Sequence, residues 1–260
     1  MEKGEWALVT GASSGIGRAF AERLAERGIN LLLIALEEDL LSQFARNWHQ
    51  SYHIQAIWYP LDLADPMSIE KIRKQIESKN LQISVLVNAA GFGYFGDFSS
   101  MPPKQIDRMI QVNVTSLVQL CGFLLPQMQG RGRGTIINIA SISGFLPYPY
   151  AAVYAAGKSF VHGFTRAIWA ENDNRKVKII SLCPGYTKTN FENTSNEPSG
   201  IHLFPAEDPF EMAGKVLKKI SGNRRTIFTN ITHPFKICFA RLLPLKIFAR
   251  LLKHLCGMQR

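Results

Sequence analysis

The chain alternates between short apolar runs and longer stretches in which apolar residues recur every three or four positions. The apolar runs, typical of strands, are residues 6–10, 29–35, 54–59, 83–88, 135–139, 177–182 and 226–228. Helical spacing covers residues 18–27, 37–50, 67–78, 103–125 and 151–169. This alternation predicts a single α/β domain with a doubly wound parallel sheet and helices on both faces.

Polar or glycine-containing motifs follow four of these predicted strands. The glycine-rich loop of residues 11–17 follows the first strand, Asn88 the fourth, Ser141 the fifth and Pro184 the sixth. Ligands of parallel α/β sheets bind outside the carboxyl ends of the strands, which lie at one edge. We therefore expect these four motifs to line a single cleft.

The loop TGASSGIG, residues 10–17, lies between a predicted strand and a predicted helix. Glycines there permit a tight turn and let backbone N–H groups approach a pyrophosphate at the helix N-terminus. The spacing is G-x-x-x-G-x-G, and such a loop by itself is weak evidence because glycines also make ordinary turns. The loop alone leaves a dinucleotide site and a simple turn both open.

The segment AAVYAAGKSF, residues 151–160, permits two interpretations. It ends like a phosphate-binding loop, but that motif needs glycine where Ala152 stands, and the segment is helix-forming. Tyr154 and Lys158 are four residues apart and would share one helix face. A nearby ammonium lowers a tyrosine pKa that is normally about 10, which suits a general acid–base near neutral pH. An isolated Y-x-x-x-K is more often a packed ring beside a solvated lysine.

Five motifs occur together in one order, and over roughly residues 5–230 they resemble the short-chain dehydrogenase/reductase family. They are TGASSGIG, NAAG at 88–91, Ser141, Tyr154-x-x-x-Lys158 and PGYTKT at 184–189. The chain is also similar to bacterial members related to long-chain ketoacyl and steroid reductases. The resemblance implies a Rossmann-type sheet, an NAD(P)-binding domain over 1–230, and hydride transfer between a carbonyl and a secondary alcohol.

The resemblance also assigns catalytic roles. Tyr154 would exchange a proton with the substrate oxygen, and Lys158 would hold the nicotinamide ribose and lower the tyrosine pKa. Ser141, 13 residues before the tyrosine, would hydrogen-bond the reacting oxygen, with Ser143 as the competitor at a less fitting spacing. Asn113 would hold a water that links the lysine to solvent. The protein would supply position and a proton, and the coenzyme the hydride.

The resemblance also implies which residues bind the coenzyme, and most of them lie in the same motifs. The implied set is Gly11, Ser13, Ser14, Gly15, Ile16 and Gly17 for the pyrophosphate and adenine ribose, Asp62 for adenine, Asn88, Ala89 and Gly91 for the adenosine ribose, Tyr154 and Lys158 for the nicotinamide ribose, and Pro184, Gly185, Thr187 and Thr189 for the carboxamide. No metal site is predicted.

The choice between NAD and NADP depends on the end of the second strand. Members of the family that prefer NAD carry an acid there for the ribose 2′-hydroxyl, and this chain has Ala35. Members that prefer NADP often carry an arginine next, and this chain has Leu36. Arg18 is a candidate partner for a 2′-phosphate, and Glu37 a candidate partner for the ribose. The absence of an acid at Ala35 favours NADP(H), with NAD(H) left open.

Aromatic and aliphatic residues cluster on the predicted substrate side. They are Phe92, Tyr94, Phe95, Phe98, Phe145, Leu146, Tyr148 and Tyr150. Apolar walls around one polar centre suit a small apolar carbonyl or alcohol, such as a long-chain acyl or steroid substrate. Core or dimer contacts are the alternative use of these residues. Residues 190–211 are predicted to form a lid over the cleft.

The formal net charge of +10 is unevenly distributed. Every acidic residue lies at or before Glu211, and 11 basic residues follow it, so residues 1–211 carry a net charge of about −1. The tail 231–260 is therefore basic, and its segment 243–255 places Lys246, Arg250 and Lys253 opposite an apolar side. That side consists of Leu245, Phe248, Leu252 and Leu255.

A basic amphipathic helix of this kind fits a membrane surface, and packing against protein is the alternative. The net charge is the single feature that suggests nucleic acid, and the chain carries no nucleic-acid motif, so no nucleic-acid partner is expected. The resemblance suggests a homodimer or homotetramer through the helices at 103–125 and 151–169. A coenzyme-binding regulatory or scaffold protein without turnover is the other function class kept open.

The chain shows no signal peptide and no run of 18 apolar residues free of charge. Its four cysteines are scattered, with no C-x-x-C pair, which indicates reduced thiols. These features predict a cytoplasmic protein, peripheral on the membrane if the tail binds lipid.

Overall fold

A computed structural model describes residues 1–172, 176–189, 191, 195, 206–220, 222 and 225–255. Its strands are β1 (Trp6–Thr10), β2 (Asn30–Ala35), β3 (Ala56–Pro60), β4 (Ile83–Asn88), β5 (Gly134–Ile139), β6 (Val177–Cys183) and β7 (Thr226–Phe228). They form one parallel sheet in the order β3-β2-β1-β4-β5-β6-β7. The doubly wound α/β prediction is confirmed.

The helices alternate with the strands as the sequence predicts. They are α1 (Gly15–Ala25), α2 (Glu38–Tyr52), α3 (Ser68–Ser78), α4 (Pro103–Ile110), α5 (Ser116–Gly130), α6 (Ala152–Glu171), α7 (Pro209–Lys219), α8 (His233–Leu242) and α9 (Leu245–Leu255). Most ends of the predicted elements lie within three residues of the observed ones.

The helix prediction missed a π-helical turn and two helices, α7 and α8. The stretch predicted as one helix over 103–125 contains a π-helical turn, Gln111–Thr115, between α4 and α5. The wider turn carries Asn113 into the interior. The sequence reasoning also missed α7, although Asp208 caps it by accepting a hydrogen bond from the Glu211 N–H and Pro209 begins it.

The core consists of one apolar layer on each face of the sheet. On one face, α1, α2 and α7 bury residues such as Phe20, Leu41 and Val216 against the strands. On the other face, α3, α5 and α6 bury residues such as Ile72 and Leu120. Because both faces are covered, the strands are predominantly apolar.

The chain reverses its winding direction between β1 and β4. These two strands are neighbours, although two strands and three helices separate them in sequence. Such a switch point opens a crevice beyond the carboxyl ends of the strands, where ligands of this architecture bind. The loops after β1, β4, β5 and β6 all reach this edge.

One helical stretch, Pro103–Gly130, is long and apolar enough to cross a membrane by length and composition. Its residues Leu120, Leu124 and Met128 are nevertheless fully buried in the core beside β4 and β5. This is the environment of a core helix, so the stretch is weak evidence for a membrane span.

The first part of the tail, beyond residue 230, is packed against the domain. Helix α8 buries His233 and Ile237, and the Arg241 Nε donates a hydrogen bond to the Phe145 carbonyl at 3.1 Å. The predicted amphipathic helix begins at Leu245, as α9. Phe248, predicted to lie on its lipid-facing side, is buried in the protein. The side-chain positions predicted for Leu252, Lys253 and Leu255 lie outside what the structure describes.

Candidate active site

The glycine loop has the backbone geometry that its sequence predicts. Gly11 has φ of 65°, and a Cβ there would come 2.9 Å from the Ala90 backbone. A Cβ on Gly17 would come 2.1 Å from the Gly11 carbonyl oxygen. Ser14, the residue before α1, makes no side-chain capping bond, so the first N–H groups of that helix point to an open cleft. This is a cradle that fits a pyrophosphate.

A cavity of about 240 Å³ lies beyond the carboxyl ends of β1, β2 and β4. Ten predicted coenzyme residues line it, namely Gly11, Ser13, Ser14, Gly15, Ile16, Gly17, Asp62, Ala89, Gly91 and Thr189. The Thr10 side chain holds the loop after β4 against this cavity, because its hydroxyl accepts hydrogen bonds from the N–H groups of Ala89 and Ala90.

Asn88 is the exception among the predicted coenzyme residues. It is buried, and its side-chain Nδ2 donates to the Asn138 Oδ1 at 2.8 Å. Asn88 and Asn138 are register partners on β4 and β5, so the amide faces the neighbouring strand. It does not line the cavity, so its side chain is not placed to make the predicted contact with the ribose.

The far end of this cavity carries both signs of charge. The carboxylate of Asp62 accepts the Ala64 N–H and pairs with the Arg108 guanidinium at 2.9 Å. Leu36 and Glu37 also line this end. Arg108 was missed by sequence reasoning because it lies 46 positions from Asp62 and belongs to no motif.

Arg18, the predicted phosphate partner, does not line the cavity. Its guanidinium lies over the Phe44 ring at 4.3 Å and the Phe210 ring at 5.5 Å. The Arg18 Nε is buried with no hydrogen-bond partner among the described residues. A cation stacked between two rings packs α1 against α2 and α7, so the structure gives Arg18 a packing position.

A second cavity of about 190 Å³ continues the first towards β5 and β6. It brings together predicted residues from three parts of the sequence, namely Ser141, Tyr154, Lys158, Pro184, Gly185 and Thr187. Both cavities share the residues Ile16, Ala89, Gly91, Thr189 and Phe191. They therefore form one cleft, with the glycine loop at one end and the tyrosine–lysine pair at the other.

Ser141 and Ser143 are distinguished by their hydrogen bonds. The Ser141 oxygen accepts the Ser143 hydroxyl at 2.9 Å and the Ser143 N–H at 3.1 Å. A serine oxygen has two acceptor sites and one proton to donate. Because both acceptor sites of Ser141 are used, its own proton is available to a group in the cavity, whereas the Ser143 proton is committed to Ser141.

Tyr154 and Lys158 lie one turn apart on α6, as predicted. The Lys158 Nζ is 5.7 Å from the centre of the tyrosine ring and donates to the Ile139 carbonyl at 2.8 Å. The lysine is buried, and burial lowers the pKa of its ammonium to about 8. The tyrosine ring contacts Phe191 and Phe95 across the cavity.

Asn113 lies in the π-helical turn beside the Lys158 ammonium. Its Oδ1 accepts the Phe92 N–H at 3.1 Å, and its Nδ2 donates to the Phe92 carbonyl at 2.8 Å. A Cβ on Gly91 would come 3.1 Å from the Asn113 Oδ1 and 3.6 Å from the Lys158 Nζ, so all three residues meet. Turns of this kind occur often at functional sites. The side chain positions the loop after β4, and its role in a water relay stays a prediction.

The aromatic residues predicted to surround the substrate divide into several groups. Phe95 and Tyr148 line the tyrosine cavity and contact each other edge to face, whereas Phe92 lines the coenzyme end. Phe145 packs instead on His162 and Phe228. Among the others, Phe98 is 62% exposed on a short 3₁₀ turn, so its predicted place in the wall is wrong.

Sequence reasoning missed two aromatic residues of this cavity, Tyr186 and Phe191. Tyr186 lies within the PGYTKT motif, which could have identified it. Phe191 has no local signal, because its position depends on a contact with Gly93. Most of the lid predicted over 190–211 lies outside the described residues. Its N-terminal part contributes Phe191 to the cavity.

No cysteine is among the described residues that line the cleft. Cys121 and Cys183 are buried free thiols, and burial raises the pKa of each to about 12. Cys238 is a free thiol on the surface. Within the described residues, no group of three or more His, Cys, Asp or Glu side chains could hold a metal ion.

Comparison with known proteins gives consistent matches. A family model described as short chain dehydrogenase matches residues 5–200. The chain is 35% identical over 190 residues to very-long-chain 3-oxoacyl-CoA reductase-A of Danio rerio, covering 72% of this chain and 59% of the reductase. It is 29% identical over 231 residues to the 7beta-hydroxysteroid dehydrogenase of Mediterraneibacter gnavus, covering 85% and 87%. The chain thus spans less than two thirds of the Danio rerio protein.

Among solved structures, a short-chain dehydrogenase from Sphingobium yanoikuyae in complex with NADPH has the same fold. The TM-score is 0.83 at 25% sequence identity, covering 91% of this chain and 93% of the other. The Rossmann-type prediction is therefore confirmed.

Proposed function

Because this chain belongs to the short-chain dehydrogenase/reductase family, we propose that it interconverts a carbonyl and a secondary alcohol on an apolar substrate, using NAD(P)(H). The observation that carries the proposal is the convergence of Ser141, Tyr154 and Lys158 at one end of a continuous cleft. The glycine loop lies at the other end. A dinucleotide binds along a cleft of this kind, with its pyrophosphate at the helix N-terminus.

The coenzyme, when bound, supplies or accepts the hydride. Gly11 to Gly17 would hold its pyrophosphate, and Lys158 the nicotinamide ribose. Pro184, Gly185 and Thr187 line the tyrosine cavity and would hold the carboxamide. The missing Cβ atoms at Gly11 and Gly17 support this assignment, since a side chain at either position would collide with backbone.

Two side chains would act on the reacting oxygen. Ser141 would donate its hydroxyl proton in a hydrogen bond, because Ser143 uses its acceptor sites. Tyr154 would give its phenolic proton to that oxygen in reduction and remove it in oxidation. The buried Lys158 ammonium favours the phenolate that remains, and Asn113 holds the loop beside it.

The substrate class follows from the walls around this polar centre. Phe95 and Phe191 pack on the tyrosine ring and Tyr148 packs on Phe95, so aromatic rings line this centre, which suits an apolar chain or ring system. The two named relatives act, by their names, on a very-long-chain 3-oxoacyl-CoA and on a 7beta-hydroxysteroid. We propose a long-chain acyl or steroid carbonyl for this chain.

Coenzyme oxidation against a panel of carbonyl compounds tests this function. Long-chain 3-oxoacyl thioesters and steroid ketones should be reduced, and short polar ketones of equal reactivity should be poor substrates. Turnover of the polar ketones alone would contradict the apolar assignment. Coenzyme binding without turnover on any member of the panel would favour the scaffold alternative.

NADP(H) is the coenzyme that we propose. No carboxylate stands at Ala35 to bind a ribose 2′-hydroxyl, and the related Sphingobium yanoikuyae structure contains NADPH. Glu37 acts against this preference, because it also lines this cavity and its carboxylate would repel a 2′-phosphate. The single arginine among the described lining residues, Arg108, is already paired with Asp62.

Glu37→Gln should therefore raise the ratio of NADPH affinity to NADH affinity roughly fivefold. Two unit charges 4 Å apart interact by about 1 kcal/mol in water, and the change removes one like charge from the 2′-phosphate. Fluorescence titration with both coenzymes measures the ratio. Glu38→Gln is the matched control, since Glu38 does not line the cavity. An unchanged ratio in Glu37→Gln would show that the carboxylate does not face the ribose.

Lys158→Met should remove a pH dependence of stability. Burial lowers the folded-state pKa of Lys158 from 10.5 to about 8, so the unfolded chain binds more protons between these values. The free energy of unfolding of the wild type therefore gains about 2 kcal/mol from this group between pH 7.5 and pH 9.5. Urea unfolding at both pH values should show that gain in the wild type and in the exposed control Lys104→Met. An equal gain in the free energy of unfolding of Lys158→Met would show that the pH dependence does not come from the buried Lys158 ammonium.

We also propose assembly into a homodimer or homotetramer through α4, α5 and α6. Ile110 and Phe160 are exposed large apolar residues on these helices, and Phe160 stacks on Phe164. Such residues become buried when two copies associate. For localisation, we propose the cytoplasm, peripheral to a membrane.

A further inference from the structure

The segment 231–247, which contains α8 and the start of α9, holds six of the thirteen exposed large apolar side chains of the described chain. Its exposed large side chains are Ile231, Phe235, Phe239, Leu242, Leu245 and Ile247. Each is between 52% and 83% exposed. Monomeric proteins rarely leave a contiguous apolar surface of this kind in water, so it requires a partner.

Helix α8 is apolar on two opposite sides. His233, Ile237 and Ala240 recur at helical spacing and face the protein. Phe235, Phe239 and Leu242 recur at the same spacing two residues further on, and they face outward. A helix that packs on its own domain needs one apolar side. The second apolar side therefore serves something outside the domain.

The charged residues around this apolar face indicate what kind of partner it binds. Residues 231–255 contain five basic residues and no acidic residue. Lys236, Arg241, Lys246 and Arg250 are exposed beside the apolar side chains. Lysine and arginine flanking exposed Phe and Leu is the composition of a segment that lies at an anionic membrane surface.

A second copy of the chain fits this surface poorly. A two-fold symmetric dimer places the same patch of both copies in contact. Here that contact would bring the basic residues of one copy against the basic residues of the other, with no acidic residue in 231–255 to pair with either. Like charges across an interface oppose association.

We propose that the outer face of α8–α9 docks on the surface of an anionic lipid bilayer, with Phe235, Phe239 and Leu242 inserted among the lipids. Helix α8 also contacts the catalytic end of the cleft. The His233 ring lies against Gly185, which lines the tyrosine cavity, and Arg241 binds the Phe145 carbonyl next to the serine turn. Docking there holds the cavity close to the bilayer.

Vesicle flotation of the full chain tests the docking. Vesicles of phosphatidylcholine with about 30% phosphatidylglycerol should bind the wild type, and pure phosphatidylcholine vesicles should bind it several-fold less. Phe235→Ser with Phe239→Ser should lower partitioning on the order of tenfold or more, because both side chains lose their burial in lipid. Lys246→Glu with Arg250→Glu should remove the preference for phosphatidylglycerol.

The control is Met67→Ser with Phe98→Ser, which removes two exposed apolar side chains outside α8 and α9 and should bind vesicles like the wild type. Coenzyme titration shows that each variant is folded, and it does not depend on turnover or on lipid. Failure of the wild type to float, or unchanged flotation of the phenylalanine variant, would overturn the proposal. So would light scattering that shows a dimer of the wild type and loss of that dimer in the phenylalanine variant, because α8 would then bind a second copy.

Discussion

Replacing Tyr154 by phenylalanine should lower turnover by about 10²–10⁴-fold while leaving coenzyme affinity nearly unchanged. The substitution removes one hydroxyl, and the ring keeps its contacts with Phe95 and Phe191. Without the phenolic proton, the developing alkoxide has Ser141 as its hydrogen-bond donor and no acid. Steady-state rates with saturating coenzyme and carbonyl substrate measure the loss.

Tyr52→Phe is the matched control for this experiment. Tyr52 lies at the end of α2 and does not line the cleft, so the same chemical change should leave the rate at the wild-type level. A Tyr154→Phe variant that keeps more than a tenth of the wild-type rate would show that another group supplies the proton.

Replacing Gly17 by alanine should abolish measurable coenzyme binding. A Cβ at this position would lie 2.1 Å from the Gly11 carbonyl oxygen, which is far inside van der Waals contact, so the loop or the start of α1 must move. The movement displaces the N–H groups that hold the pyrophosphate. We expect a loss of at least about a hundredfold in affinity and a destabilisation of about 1–3 kcal/mol, as for other overpacked sites.

Gly163→Ala is the control for a helical glycine. A Cβ on Gly163 meets no atom within 4 Å, so this variant should bind coenzyme normally and be more stable by about 0.5–1 kcal/mol. Fluorescence titration and urea unfolding measure both quantities. Normal coenzyme binding by folded Gly17→Ala would contradict the proposal that the glycine loop holds the pyrophosphate.

The elements and the catalytic pair were predictable because their signals are local. Apolar runs and helical spacing locate the strands and helices to within a few residues. Tyr154 and Lys158 are four residues apart, and one helix turn brings them together whatever the rest of the chain does. The glycine loop is equally local, because the collision that excludes a side chain at Gly17 involves Gly11.

Residues whose role depends on a neighbouring strand could not be assigned in this way. Asn88 ends a strand, as the predicted motif requires, but the register of β4 with β5 sets it against Asn138 and away from the cleft. The pair Asp62 and Arg108 joins two elements that share no motif. Such contacts follow from tertiary packing rather than from sequence spacing.

The tail is another part of the chain where sequence spacing does not reveal the tertiary contacts. Amphipathic spacing predicts a helix near residue 245, and α9 is there, but spacing does not say which apolar residues the protein itself covers. Phe248 is buried in the domain, whereas Phe235 and Phe239 on the unpredicted α8 are exposed. The proposed membrane surface is thus formed largely by residues that the helical pattern of 243–255 does not include.

The most direct measurement of the central claim is a fluorescence titration of the wild type and of Tyr154→Phe with NADPH and NADH. We expect saturable binding to both proteins, tighter for NADPH, because the tyrosine hydroxyl acts on the substrate oxygen and the glycine loop is intact. Absence of binding to the folded wild type with either coenzyme would contradict the proposed function.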